Sequence, residues 1–316
     1  MKKSRVRYLA LLVITAAILA ILFRDAKGAA ATLLHPRWPT ALAAAALTIL
    51  FPFCMALRWA AVLWACGYRL SYLRAAAVTM AAWPLGTLTP SKTGDVAKAF
   101  CIRQTAPLAA GLGSVATERA LDVVVLLLLS LGGALALGER AIALFAALGL
   151  LAAAAGWAAV ALGFRLPVGP KLAAKLERFG ETARVLLRRP GYLALSALAA
   201  AANWLLSIWQ TQWLYRAYGI EVSFSYVCAA LPVAIFIGLL PLTLAGMGTR
   251  DKAMMALFAR AGAPEPVSLS VGVLYSLCGY WLPSLAGLPF MRLLFDFAPD
   301  EASRRAAEAL QNANTR

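Results

Sequence analysis

Long unbroken apolar runs decide what this chain can fold into. Thr40–Trp64 holds 25 residues and one charge, Arg58. About 20 apolar residues cross the roughly 30 Å of hydrocarbon in a bilayer as a helix. Tyr8–Phe23, Ser114–Leu137, Ala141–Phe164, Tyr192–Tyr215 and Val267–Leu294 are further runs of this kind. Lipid cannot satisfy an unpaired backbone, so such runs fold as helices. A β-barrel would need short alternating segments instead. The sequence therefore predicts an all-α polytopic membrane protein. Apolar residues at 62% and charged residues at 14% of 316 agree.

Two stretches break this pattern. Pro90-Ser91-Lys92-Thr93-Gly94-Asp95-Val96-Ala97-Lys98-Ala99-Phe100 follows the short apolar run Ala75–Thr89. Pro241-Leu242-Thr243-Leu244-Ala245-Gly246-Met247-Gly248-Thr249-Arg250-Asp251-Lys252 follows Phe224–Leu244. Each joins a helix-breaking Pro, flexible Gly and ionisable groups between membrane-grade segments. Charges at that depth are costly and usually face protein or a watery cavity.

The formal charge of +16 fits a membrane protein better than a nucleic-acid binder. Lys and Arg gather in loops, where anionic headgroups favour them. Residues 165–190 carry Arg165, Lys171, Lys175, Arg178, Arg184, Arg188 and Arg189 against Glu177 and Glu181. Leu172, Leu176, Phe179, Ala183 and Leu186 recur at helical spacing, which predicts an amphipathic surface helix. The cysteines Cys54, Cys66, Cys101, Cys228 and Cys278 form no CxxC pair, and His35 is the single histidine. No metal spacing and no phosphate loop is present, so no cofactor is expected.

Charge placement constrains the topology. If every apolar segment crosses, there are eight conventional helices and residues 165–190 face outward, against the positive-inside rule. If Ala75–Thr89 and Phe224–Leu244 are re-entrant hairpins, six full spans remain and the basic segment faces the cytoplasm with both termini. The opening residues 1–31 also read as a signal peptide with Ala29-Ala30-Ala31 as a cleavage region. An uncleaved first span is preferred here. Residues 1–137 then form one repeat, 138–294 an inverted second repeat that includes the basic helix, and 295–316 a polar cytoplasmic tail. Trp64–Tyr72 can be laid on Arg216–Phe224 at an offset of 152, aligning Gly67 with Gly219 and Ser71 with Ser223. Inverted repeats with broken segments are a transporter signature.

Several motifs resemble a known family. They are Leu57-Arg58-Trp59 with Gly67, Leu88-Thr89-Pro90 through Gly94-Asp95 to Lys98, Thr117-Glu118-Arg119-Ala120-Leu121-Asp122, Pro241 through Gly246-Met247-Gly248-Thr249-Arg250-Asp251, and Leu274-Tyr275 to Tyr280-Trp281-Leu282-Pro283. Together they resemble the transmembrane region of lysylphosphatidylglycerol synthase, the flippase-like UPF0104 membrane family. Asp95 and Asp251 stand where the family more often has Glu, Lys98 where it has Arg, and Ser276 where Arg often follows the Tyr. The aminoacyl-transferring domain of full-length synthases is not among these residues, so this chain is not expected to make lysyl-lipid.

The resemblance implies a lipid flippase of the bacterial inner membrane, not ATP-driven, acting on a phospholipid or a polyprenyl-phosphate-linked lipid. Its partner would be a membrane lipid with an anionic headgroup or a lipid-linked phosphate. A homodimer or a lipid-modifying enzyme is a second expected kind of partner, and nucleic acid is not. The residues assigned to the transport path are Arg58, Lys92, Gly94, Asp95, Lys98, Arg103, Glu118, Arg119, Asp122, Gly246, Gly248, Arg250, Asp251 and Tyr275. The cations suit phosphate, Lys as a point charge and Arg as a fork. Glu118 and Asp122 share a helix face and either hold a cationic group, relay protons or neutralise Arg119. Arg58, near a helix end beside Trp59, also reads as a side chain snorkelling to the headgroups. No catalytic residue is assigned. The alternatives are a membrane transferase using Asp95 and Asp251 as acid and base, or an accessory subunit of a lipid-modifying complex.

Overall fold

A computed structural model describes residues 2–163, 170–240 and 242–294, and those residues are helical almost throughout. Met1, residues 164–169 with Arg165 of the basic segment, Pro241 and the tail 295–316 lie outside the described residues, as do the side chains of 2–11, of 90–92 with Lys92, and of 170–175. The helices in order are α1 (Lys2–Asp25), α2 (Ala29–Leu34), α3 (Trp38–Ala65) and α4 (Tyr72–Leu88). After a 3-10 turn at Pro90–Val96 come α5 (Ala97–Cys101), α6 (Leu108–Leu137), α7 (Arg140–Ala161), α8 (Pro170–Leu187) and α9 (Pro190–Ala217). Then follow α10 (Phe224–Gly238), a short turn at Leu244–Gly246, α11 (Thr249–Ala259) and α12 (Glu265–Leu294). Among the described residues, α3, α6, α7, α9 and α12 are long and apolar enough to cross a membrane.

Several boundaries shift from the sequence expectation for local reasons. Between the apolar runs Tyr8–Phe23 and Thr40–Trp64 the chain is not all connection: α2 forms there once Gly28, in the left-handed region at φ 84°, turns the chain. The Ala75–Thr89 segment begins three residues early because the Ser71 hydroxyl caps α4 through the Arg74 amide. Gly138, also left-handed, ends α6 and makes the tight turn into α7.

Neither polar stretch continues its helix across the fold. Tyr226, at the start of α10, donates its hydroxyl to the Leu257 carbonyl at the end of α11 (2.6 Å), and its ring meets Phe258. Gly238, at the other end of α10, lies against Arg250 at the start of α11. The chain thus enters along α10, turns and comes back beside it. The first stretch does the same: Cys101, Ile102 and Ala106 pack on Ala75 and Val78 of α4. The two turns, Pro90–Val96 and Leu244–Gly246, pack on each other.

At several positions residues 152 apart take the same local conformation or contact. The 28-residue helices α3 and α9 start and stop at that offset. Gly67 and Gly219 are both left-handed, and Ser71 and Ser223 cap the next helix in the same way. A Cβ on Gly94 would overlap the Leu85 carbonyl, and one on Gly246 would sit 2.7 Å from the Gly238 carbonyl oxygen. The crossing of α3 and α9 is reciprocal. Gln210 donates to the Ala44 carbonyl at 2.8 Å, and Ser196, the counterpart of Ala44, donates to the carbonyl of Arg58, the counterpart of Gln210, at 3.1 Å. Early residues of one helix meet late residues of the other, so the two run antiparallel.

Candidate functional site

Four elements bring six charges together. Arg58 comes from α3, Asp95 from the first turn, Lys98 from α5, and Glu118, Arg119 and Asp122 from α6. Positions 118 and 122 lie one turn apart on α6 and face α3, so both carboxylates meet Arg58. Arg58 donates through Nη1 to Asp122, and its Nε is 3.5 Å from Glu118 Oε2. Lys98 donates to Glu118 Oε1 and lies over the Trp59 ring, 5.1 Å from its centroid. Arg119 is 3.5 Å from Asp95, 3.3 Å from Glu118 and 3.2 Å from Asp122. Trp204 of α9 donates its indole N–H to Asp122 at 2.9 Å.

Three cations and three carboxylates make this network formally neutral. Five of its side chains are nearly or fully buried, and Arg119 is 32% exposed. Burying ions costs several kcal/mol each after relaxation, and apolar residues of the same volume often do as well or better. Stability alone is therefore a poor reason for such a cluster, whereas function is the default reason within a membrane segment. The snorkelling reading of Arg58 is overturned: it is 1% exposed and held by two carboxylates.

The second stretch builds a different site. Arg250 is fully buried and donates through Nη2 to Asp251 at 2.7 Å, to the Gly272 carbonyl at 3.2 Å and to Ser276. Its guanidinium centre lies 4.7 Å from the Tyr275 ring and 5.6 Å from the Tyr280 ring. Residues five apart on an α-helix point to different faces. Here α12 loosens to a π turn at Leu277–Trp281, and both tyrosines reach the same guanidinium. Asp251 is spent locally: it accepts from the Gly248 amide at 2.9 Å and so caps α11. A cavity of about 20 Å³ lies beside Arg250, lined by Gly238, Gly246 and Tyr280 among others.

Helix α9 touches both clusters from one face. Trp204 reaches Asp122, and one turn on, Ser207 shares a 3.1 Å hydrogen bond with the Tyr275 hydroxyl. Of the residues singled out in the sequence, Arg58, Asp95, Lys98, Glu118, Arg119 and Asp122 come together around Arg119. Arg250, Asp251 and Tyr275 come together around the second turn, with Gly246 and Gly248 shaping it. Gly94 lets the first turn close on Leu85. Arg103 is not drawn in: it is exposed beyond α5, with its guanidinium over Phe100. Trp204 and Ser207 were not singled out, and Ser276 and Tyr280 stood only among the positions of a family motif, with no role in the path. The apolar–polar spacing of α9 and the Tyr-rich stretch of α12 were visible, but their partners lie far away in sequence. Among the described residues no group of His, Cys, Asp and Glu has the arrangement to hold a metal ion.

The family model described as the lysylphosphatidylglycerol synthase TM region matches residues 8–287. A UPF0104 membrane protein of Methanothermobacter thermautotrophicus is 26% identical over 113 residues, covering 36% of this chain and 33% of that one. A UPF0104 membrane protein of Pyrococcus horikoshii is 26% identical over 117 residues, covering 37% and 35%. Each match therefore spans about a third of the curated relative.

Proposed function

The chain belongs to the lysylphosphatidylglycerol synthase transmembrane-region family, and from that premise we propose that it moves a phosphate-bearing lipid headgroup between leaflets. The observation that carries this reading is the buried, charge-neutral network with one partly exposed arginine. A headgroup crossing hydrocarbon needs polar partners at depth, and a guanidinium can take a phosphate with two parallel hydrogen bonds. Arg119 is the group that offers itself. Arg58 and Lys98 hold Glu118 and Asp122 in place.

In the same reading the two halves, 1–137 and 138–294, are inverted repeats. The antiparallel crossing of α3 and α9 and the matched glycine contacts at offset 152 support this. The returning segments α4–α5 and α10–α11 are then re-entrant hairpins from opposite sides of a bacterial inner membrane, and their tips meet near the midplane. Helices α1, α3, α6, α7, α9 and α12 are the spans, with α8 and both termini cytoplasmic. Broken segments of this kind lie at the substrate sites of many transporters.

Leaflet exchange in proteoliposomes tests the reading. Fluorescent phosphatidylglycerol and a fluorescent polyprenyl phosphate are offered separately. Exchange of either lipid by the wild type, reduced at least tenfold in folded Arg119→Gln protein, is the expected result. Unchanged exchange in that variant refutes the assignment. Conversion of the lipid to a new chemical species would point instead to a transferase.

A further inference from the structure

The partners in the six-charge network are shared unevenly. With Arg119 drawn away, Glu118 keeps Lys98 and Arg58, and Asp122 keeps Arg58 and the Trp204 indole. Asp95 keeps no ion pair: among the described residues, Arg119 is the cation within 4 Å of its carboxylate. Behind Asp95 the backbone leaves no slack. A Cβ placed on Gly86 would come within 2.6 Å of Oδ1. Arg119 is also the member of the network whose side chain keeps substantial exposure.

An anion that engages Arg119 brings a negative charge into a neutral buried site. In the same event it takes from Asp95 its counter-charge. A buried carboxylate that loses its counter-cation has less to hold it in the ionised form. We propose that the protein binds a phosphate-bearing lipid headgroup together with one proton, the headgroup on Arg119 and the proton on Asp95. This inference rests on the headgroup reading above and adds its coupling ion.

Among the described residues the charged groups facing Asp95 are few, and the side chain of Lys92, on the same turn, lies outside them. Helix α6 presents Arg119, with Glu118 and Asp122 around it, and α5 presents Lys98. Helix α4 presents Gly86, and the opposing turn Leu244–Gly246 carries no ionisable side chain. Lys98 stays bound to Glu118 and Arg58 to Asp122, so neither has to release its proton. The proton comes from water on the side where the headgroup enters and adds to a carboxylate oxygen of Asp95. It returns to water on the side of release, when Arg119 swings back to the ionised carboxylate. Headgroup and proton travel in the same direction, and a pH gradient drives accumulation of the lipid.

Proton uptake on binding tests this directly. The full chain in detergent, in weakly buffered solution with a pH-indicator dye, is titrated with dihexanoylphosphatidylglycerol. The expected result is about one proton taken up per lipid bound. Affinity should fall about tenfold for each pH unit over the range where that proton must come from solution. In Asp95→Asn, binding should continue at high pH with the uptake and the pH slope both lost. Lipid binding by the wild type with no proton uptake overturns the coupling and leaves the headgroup reading standing. Binding that is absent, or indifferent to Arg119→Gln, overturns the headgroup reading and the coupling with it. Uptake that persists in folded Asp95→Asn overturns the assignment to Asp95. Inorganic phosphate is titrated in parallel, and an uptake equal to that with the lipid would overturn the lipid assignment in favour of a free anion. Wild-type stoichiometry decides the coupling even if the Asn variant fails to fold.

Discussion

Replacing Glu118 by Gln should damage this protein far more than removing the lysine it binds. Glu118 is fully buried and serves three cations: Lys98, Arg58 and Arg119. Without its charge, Arg58 retains Asp122, and Arg119 retains Asp95 and Asp122. Lys98 retains no ion pair within 4 Å among the described residues; the face of Trp59 at 5.1 Å and the more distant charge of Asp95 remain. An uncompensated buried charge costs roughly 3–5 kcal/mol. The reverse change, Lys98→Met, leaves Glu118 with two arginines and loses one charge-assisted hydrogen bond, worth about 1.5–3 kcal/mol. The double variant has no orphan ion. It should recover at least about 2 kcal/mol relative to the sum of the single changes, since removing both partners of a buried pair is often close to neutral. Reversible unfolding in mixed micelles, followed by Trp fluorescence across all four proteins, measures the cycle. Equal single effects that simply add in the double variant would refute the assigned hierarchy of partners.

Other expectations follow from the same geometry. Gly246→Ala should destabilise the second turn and lower the melting midpoint more than Gly262→Ala. Both positions have positive φ, but a Cβ at 246 would also press on the Gly238 carbonyl while none lies near 262. Tyr275→Phe should cost about 1 kcal/mol through loss of its hydrogen bond to Ser207, read as a shift in the unfolding midpoint. In a cysteine-free background, a cysteine at Glu177 of α8 should react with an impermeant maleimide only in inverted vesicles, and one at Glu139 only in right-side-out vesicles. Labelling of both from one side would remove the proposed inverted arrangement. Gly86→Ala should push the Asp95 carboxylate out of place and lower lipid exchange, with a smaller effect on stability than Glu118→Gln.

The sequence by itself determined the class of the fold and where it breaks. Apolar runs long enough to cross lipid can only be helices, because that solvent offers the backbone no partners. The Pro and Gly residues at 90–94 and 241–248 mark where those helices stop, and the offset of 152 was legible in Gly67, Gly219, Ser71 and Ser223 because left-handed turns and caps demand particular residue types. Charged residues at depth were legible as candidates for the same reason: few side chains carry so high a cost without a use. Partnership was not legible. Arg58 could have reached toward headgroups, and only the packing of α3 against α6 sets it against Glu118 and Asp122, some 60 residues on. Arg103 has the same chemistry, yet the turn beyond α5 leaves it at the surface. Tyr280 joins Tyr275 because one turn of α12 is wound as a π-helix, which no residue pattern there announces. Composition and periodicity act through the chain's own backbone and its solvent, so they can be read along the sequence. Ion pairing depends on which helix faces meet across long separations, and only the tertiary structure decides that.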